Sequence, residues 1–162
     1  MTTADIRDLQ KAKTSAEPME YPTVVVAGQL LGLPISRVHE VFVTSEITSV
    51  PLASPEITGL LNLRGRVVTA VSLRRRLGLP DLEDSQRRLA VGLEHKGEPY
   101  GLLVDEVGEV LKLDPKVMQP TPGHLDARWA GVAQGVHQLE NRLLIILDVD
   151  AVLEFTAERQ AA

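Results

Sequence analysis

The 162-residue chain contains no cysteine, which excludes disulfides and thiolate metal ligation. Aromatic residues are nearly absent too: two Phe, two Tyr and one Trp, 3% of the chain. A core must therefore be built from Val, Leu and Ile, and the stacking platforms that hold single-stranded nucleic acid are missing. Positive charge is not in excess, with 17 Lys and Arg against 22 Asp and Glu and a net charge of −5. A general nucleic-acid surface needs the opposite balance. No apolar run approaches the roughly 18 residues of a membrane span, and the N-terminus lacks the apolar stretch of a secretory signal. The expectation is a soluble cytoplasmic protein that neither binds nucleic acid nor inserts into a membrane.

Catalytic patterns are missing in the same way. The four histidines, His39, His95, His124 and His137, show no ligand spacing and are expected at the surface or at a rim. There is no Walker loop, no Gly-x-Gly-x-x-Gly after a strand and no Gly-x-Ser-x-Gly elbow. Asp148-Val-Asp150 resembles a metal-binding pair, but it follows a strand and opens a helix, so helix capping is the better reading. No catalytic residue, metal or cofactor is expected.

What the chain does have is 44% hydrophobic residues arranged in short β-branched runs between Gly and Pro. Residues 1–20 are polar and read as a flexible tail, with at most a short helix around Ala4–Lys13. Strands are expected at Val24–Val26, Leu30–Pro34, Val38–Val43, Ile57–Leu63, Arg66–Val71, Leu89–Leu93, Tyr100–Val104, Val107–Leu113, Val132–His137 and Leu143–Leu147. Many short strands with frequent turn signals indicate a sandwich or barrels. Ser72 caps an expected helix over Leu73–Leu77, which Gly78 and Pro80 end. Asp148 opens a second over Val149–Arg159, while Pro80–Arg88 and Pro120–Trp129 are expected loops.

The chain also repeats itself. Gly32-Leu-Pro-Ile-Ser-Arg-Val-His-Glu-Val41 aligns without a gap on Gly101-Leu-Leu-Val-Asp-Glu-Val-Gly-Glu-Val110, an offset of 69 that Pro51 and Pro120 keep. Arg66 to Leu73 aligns on Arg142 to Val149 at an offset of 76. Each half ends as strand, cap residue and helix, so two similar β lobes in tandem are expected.

Three features carry functional information. Asn62-Leu63-Arg64-Gly65 sets an amide and a guanidinium in an otherwise apolar stretch, Gly59 to Gly78. A polar group buried among apolar strands needs a partner, because leaving it unpaired costs about 1–3 kcal/mol. Seven of the 17 basic residues, Arg64, Arg66, Arg74–Arg76, Arg87 and Arg88, form a cluster that suits a solvated surface or a protein interface better than a phosphate or RNA patch. Glu40 and Glu109 each sit between valines on a strand. They are consistent with an ordinary solvent face and equally with an apolar binding surface carrying a charged selector.

Gly59-Leu-Leu-Asn-Leu-Arg-Gly-Arg-Val-Val-Thr-Ala-Val-Ser-Leu-Arg resembles the signature of CheW-type domains, a Gly-x-x-Asn-Leu-Arg-Gly core, an apolar strand and Asp-Leu-Arg. Gly32 to Val41, Pro51, Gly101 to Val110 and Leu147-Asp148-Val149 also fit, so the resemblance covers about residues 21–155. It implies two intertwined five-stranded, SH3-like β-barrel lobes sharing a hydrophobic core, here placed at about 35–85 and at 21–34 plus 86–155, with a tail over 156–162. It implies a non-enzymatic adaptor that couples the cytoplasmic tip of chemoreceptors to the CheW-like regulatory domain of the histidine kinase CheA, recruited to membrane-associated receptor arrays. The length favours a stand-alone adaptor over a kinase fragment. The receptor groove carried over by motif comprises Val38, Glu40, Gly59, Asn62, Arg64 and Val110, with Gly65, Ser72 and Asp148 as structural signature. Ser72 stands where the family usually has aspartate, and Thr69-Ala70 replaces the usual Val/Ile-Pro-type pair. These departures leave room for an adaptor of a non-flagellar pathway. A small-ligand sensor using the cleft between the lobes is the alternative from another class.

Overall fold

The computed structural model describes residues 18–44, 47–51, 53–81 and 88–154. The expected helix around Ala4–Lys13, residues 155–159 of the C-terminal helix and most of the Pro80–Arg88 loop lie outside them. Ten strands are present: β1 (Met19–Val26), β2 (Gln29–Gly32), β3 (Val38–Thr44), β4 (Ile57–Leu63), β5 (Arg66–Ser72), β6 (Arg88–His95), β7 (Glu98–Val104), β8 (Glu106–Leu113), β9 (Ala133–Gln138) and β10 (Leu143–Leu147). Short helices follow β5 (α1, Leu73–Arg76), precede β9 (α2, Ala127–Ala130) and follow β10 (α3, residues 149–154).

The strands form two five-stranded sheets, ordered β3-β6-β7-β5-β4 and β8-β1-β2-β10-β9. The lobe division read from the sequence is corrected here. It assigned 86–104 to the second lobe, but β6 and β7 hydrogen-bond into the first sheet. The cause is a crossover in each half: the chain leaves the second sheet between β2 and β3 and returns to it between β7 and β8. Each sheet thus holds two strands from one repeat and three from the other, joined by the parallel pairs β5–β7 and β2–β10.

The repeat is written into the registers. Gly92 faces Gly101 as Thr23 faces Gly32, Phe42 faces Ala90 as Leu111 faces Tyr21, and Leu61 faces Val68 as His137 faces Leu144. The caps also match: Ser72 Oγ accepts from the Arg75 N–H at 3.2 Å and Asp148 Oδ1 from the Ala151 N–H at 3.1 Å. Serine therefore does the capping work at the position where aspartate was expected.

Apolar residues separate into three clusters because each strand alternates faces. One fills the first lobe (Leu61, Val68, Ala70, Ala90, Leu103) and one the second (Tyr21, Leu30, Leu144, Ile146). The largest, including Leu31, Leu33, Leu73, Leu77, Leu102, Ile145, Leu147 and Leu153, lies between the sheets and takes side chains from both. Each such aliphatic side chain contributes about 1.5–3 kcal/mol on full burial, so the lobes cannot part without losing most of the fold's stability.

Ion pairs brace both crossovers. Arg74 of α1 makes a two-pronged pair with Asp105, between β7 and β8, at 2.9 and 2.7 Å, and Asp105 also accepts from the Ala27 N–H at 2.8 Å. At the corresponding place in the other repeat the charges are exchanged: Arg37, after β2, pairs with Asp150 of α3 at 2.9 Å.

Candidate functional site

The Asn-Leu-Arg-Gly segment is a two-residue hairpin between β4 and β5. Arg64 and Gly65 both have positive φ, 55° and 84°, as a type I′ turn requires. Asn62 Oδ1 accepts from the Gly65 N–H at 2.9 Å and holds the turn closed. The expectation of buried polar residues is corrected: Asn62, Arg64 and Gly65 are exposed, because a hairpin tip projects beyond the layer it joins. Arg64 nevertheless has a partner. Its Nη1 lies 3.1 Å from Glu40 Oε2, with the arginine side chain 78% exposed and the glutamate 29%. Since β3 and β4 are opposite edges of the sheet, this pair spans the open side of the first lobe. At that exposure it adds at most about 1 kcal/mol of stability; what it fixes is position.

Glu40 does not face outward beside the valines. It faces Gly92, turned toward the lobe interior, and the outward residues of β3 are His39, Val41 and Val43. Val41 (42%) and Val43 (52%) are exposed on one sheet edge, and Val107 (38%) and Val110 (50%) on the edge of the other. Val41 pairs with Val91 and Val107 with Val24, both members of the shared core. Val41 and Val107 thus continue the apolar faces of the two sheets out to solvent, and Val41 and Val110 occupy matching places in the repeat.

Of the positions proposed as a groove, the structure joins Glu40 and Arg64 at one mouth, holds Asn62 in the turn beside them through its bond to Gly65, and leaves Val110 exposed on β8. Val38 is half-buried and packs against the shared core. Gly59 is buried: a Cβ there would lie 2.2 Å from the Thr48 carbonyl oxygen and 2.7 Å from Ile47 Cγ2. The backbone that approaches Gly59 is the chain's own, through the paired Thr48 and Leu60 hydrogen bonds of 2.8 and 2.7 Å. Gly65 occupies a turn position, and Ser72 and Asp148 occupy cap positions.

A family model described as the CheW-like domain matches residues 20–157. The chain belongs to the CheW-like domain family. It is 31% identical over 137 residues to Chemotaxis protein CheW of Rhizobium meliloti, covering 85% of this chain and 88% of that protein. It is 28% identical to Chemotaxis protein CheW of Bacillus subtilis over the same shares of each. Among solved structures, the scaffolding protein TtCheW of Thermoanaerobacter tengcongensis superposes with a TM-score of 0.74 at 29% identity, covering 85% of this chain and 93% of that one. As in the family fold implied by the signature, the chain is mainly β with two SH3-like lobes; the sheets curl without closing into complete barrels.

Sequence reasoning about this CheW-family chain missed several polar residues. Arg74, expected only as part of a solvated or interface cluster, pairs with Asp105 with side chains 18% and 13% exposed. Burial alone would raise the Asp105 carboxyl, but the Arg74 hydrogen bonds, the Ala27 N–H and the Arg74 charge together hold it below its ordinary 3.8. Arg76 donates to the Val152 and Ala151 carbonyl oxygens of α3 at 3.0 Å each. Two histidines are buried, contrary to expectation. His95 Nδ1 lies 3.1 Å from Asp150 Oδ1. His137 is enclosed beside Tyr21, ring centroids 6.0 Å apart. Burial pushes the His137 imidazole below its ordinary 6.5, with the Asp114 charge opposing. A signal for His137 existed in the repeat, whose offset of 76 aligns it with the buried Leu61. Among the described residues no cluster of three metal-ligating side chains occurs, and no helix is long and apolar enough to cross a membrane.

Proposed function

We propose that the protein is a non-enzymatic cytoplasmic scaffold that couples chemoreceptors to the histidine kinase CheA in membrane-associated arrays. The CheW-like match over nearly the whole chain carries this reading. The kinase partner is its CheW-like regulatory domain, and the receptor partner the helical tip of its cytoplasmic region. A helical tip docks by laying an apolar stripe into a groove, and the exposed Val41, Val43, Val107 and Val110 supply apolar area for one, with the Glu40–Arg64 pair at the mouth of the first lobe as a separate charged contact. Val38 and Gly59 act from behind, Val38 through the shared core and Gly59 by admitting the Thr48 backbone.

Co-sedimentation of the purified chain with CheA and with a receptor cytoplasmic fragment tests the reading, and failure to bind either at about 1 μM, the affinity of a standard transient interface, overturns it. Arg64→Glu should abolish receptor coupling while circular dichroism and thermal unfolding stay near those of the parent. A variant that couples normally removes the arginine from the site.

A further inference from the structure

We propose that the first lobe holds a binding site for a free apolar α-amino acid. Because the two lobes share strand registers, each is a control for how the other fills its interior. In the second lobe the inward positions Tyr21, Val25, Leu30 and Leu111 pack into one cluster, and Thr23 Oγ1 donates to the Glu109 carbonyl oxygen at 2.6 Å. The matching positions of the first lobe are Ala90, Glu94, Pro99, Phe42 and Gly92. Tyrosine has become alanine, threonine glycine and valine glutamate. The lost volume is left as a cavity of about 220 Å³ with Phe42, Leu63, Val68 and Tyr100 in its wall.

The mouth is charged. Glu40 and Arg64 line it and are occupied with each other. Arg66 and Glu94 line it as well, and among the described residues neither side chain makes an ion pair or hydrogen bond. A free guanidinium and a free carboxylate beside an apolar cavity complement the α-carboxylate and α-ammonium of a zwitterion, the guanidinium engaging the carboxylate through two parallel N–H donors. The cavity receives the side chain. A dry cavity of about 150 Å³ admits benzene, so this one has room for a side chain the size of leucine or phenylalanine and none for a nucleotide. Apolar walls with a few orienting polar groups are the usual build of a small-molecule site. The site lies inside one lobe, not in the cleft between lobes; its mouth shares Glu40 and Arg64 with the proposed receptor surface, but the amino-acid titrations that decide it use neither kinase nor receptor.

Calorimetric and NMR titration of the full chain with L-leucine and L-phenylalanine tests the site, alongside 3-phenylpropionate, which lacks the amine, and 2-phenylethylamine, which lacks the carboxylate. The expected result is saturable binding of one or both amino acids, weakened at least tenfold by loss of either charge. Arg66→Gln should abolish the preference for phenylalanine over phenylethylamine. Gly92→Val should fill the cavity and abolish binding; if that variant does not fold, the exposed Arg66→Gln still decides. The proposal is overturned by no saturable binding at about 10 mM amino acid, where a millimolar site is about nine-tenths filled. Binding indifferent to Arg66→Gln overturns it too, as does equal binding of phenylpropionate. Loss of partner binding in Gly92→Val without amino-acid binding by the parent would reassign the hollow as a socket for a partner's side chain.

Discussion

Replacing Arg74 by methionine should destabilise the protein far more than the same change at Arg37, although both arginines brace a crossover in corresponding places. The Arg74–Asp105 pair is two-pronged, at 2.9 and 2.7 Å, with side chains 18% and 13% exposed. Breaking a fully buried pair costs 3–5 kcal/mol because the remaining charge is stranded. The residual water contact here lowers that to about 3 kcal/mol, or about 6–12 °C in Tm for a domain of this size. The Arg37–Asp150 pair has side chains 31% and 60% exposed, and Arg37→Met should cost less than about 1 kcal/mol. Urea unfolding of both variants, of Asp105→Ala and of the Arg74→Met/Asp105→Ala double variant measures this. The double variant should cost little more than either single one, a coupling of at least about 1.5 kcal/mol. Asp105 is held below its ordinary 3.8 in the folded chain. Its contribution is therefore full above that pH and is lost as pH falls through the lower folded value, so parent and double variant should converge in strong acid. Additive single effects, or a loss under about 1 kcal/mol for Arg74→Met, would refute the bracing role.

Three further outcomes follow from the geometry. Burial lowers the His137 pKa from 6.5, so below pH 6.5 the unfolded chain takes up a proton the folded chain resists, and stability falls with falling pH; His137→Leu should flatten the unfolding midpoint between pH 7.5 and 5.5, read by urea titration. Gly59→Ala should lose about 1–3 kcal/mol by overpacking, since its Cβ would meet the Thr48 carbonyl oxygen at 2.2 Å, and thermal unfolding would show it even without a partner present. In an exchange experiment, Glu40→Arg with Arg64→Glu should restore receptor co-sedimentation lost in Arg64→Glu alone if the pair acts by holding the mouth; no recovery means that a specific side chain touches the partner.

The strands were legible because alternation and turn residues are local signals: all ten expected strands exist, with ends shifted by a few residues. The turn at Arg64-Gly65 and the caps at Ser72 and Asp148 were legible for the same reason. Exposure was not. A polar residue within an apolar run looks the same whether the run is a core strand or bends back at a hairpin tip, so Asn62 and Arg64 were expected inside and lie outside. His95 and His137 went the other way, because burial depends on which sheet covers the strand. Gly59 was placed in the receptor groove by motif, but the backbone that approaches it is the chain's own, at Thr48.

By itself the sequence determined the number of strands, their alternating faces, the repeat at offsets of 69 and 76 and the family signature. These depend on residues close together in the chain. Only the tertiary structure decided which sheet β6 and β7 join, that Arg74 and Asp105 meet across 31 residues, that the valines at the two sheet edges extend one shared core, and that one lobe is packed where the other is hollow. Those outcomes depend on long-range pairing. A strand with apolar residues on both faces satisfies either sheet equally well in isolation, and the choice is made by the partner strand that its edge finds once the crossovers bring the repeats together.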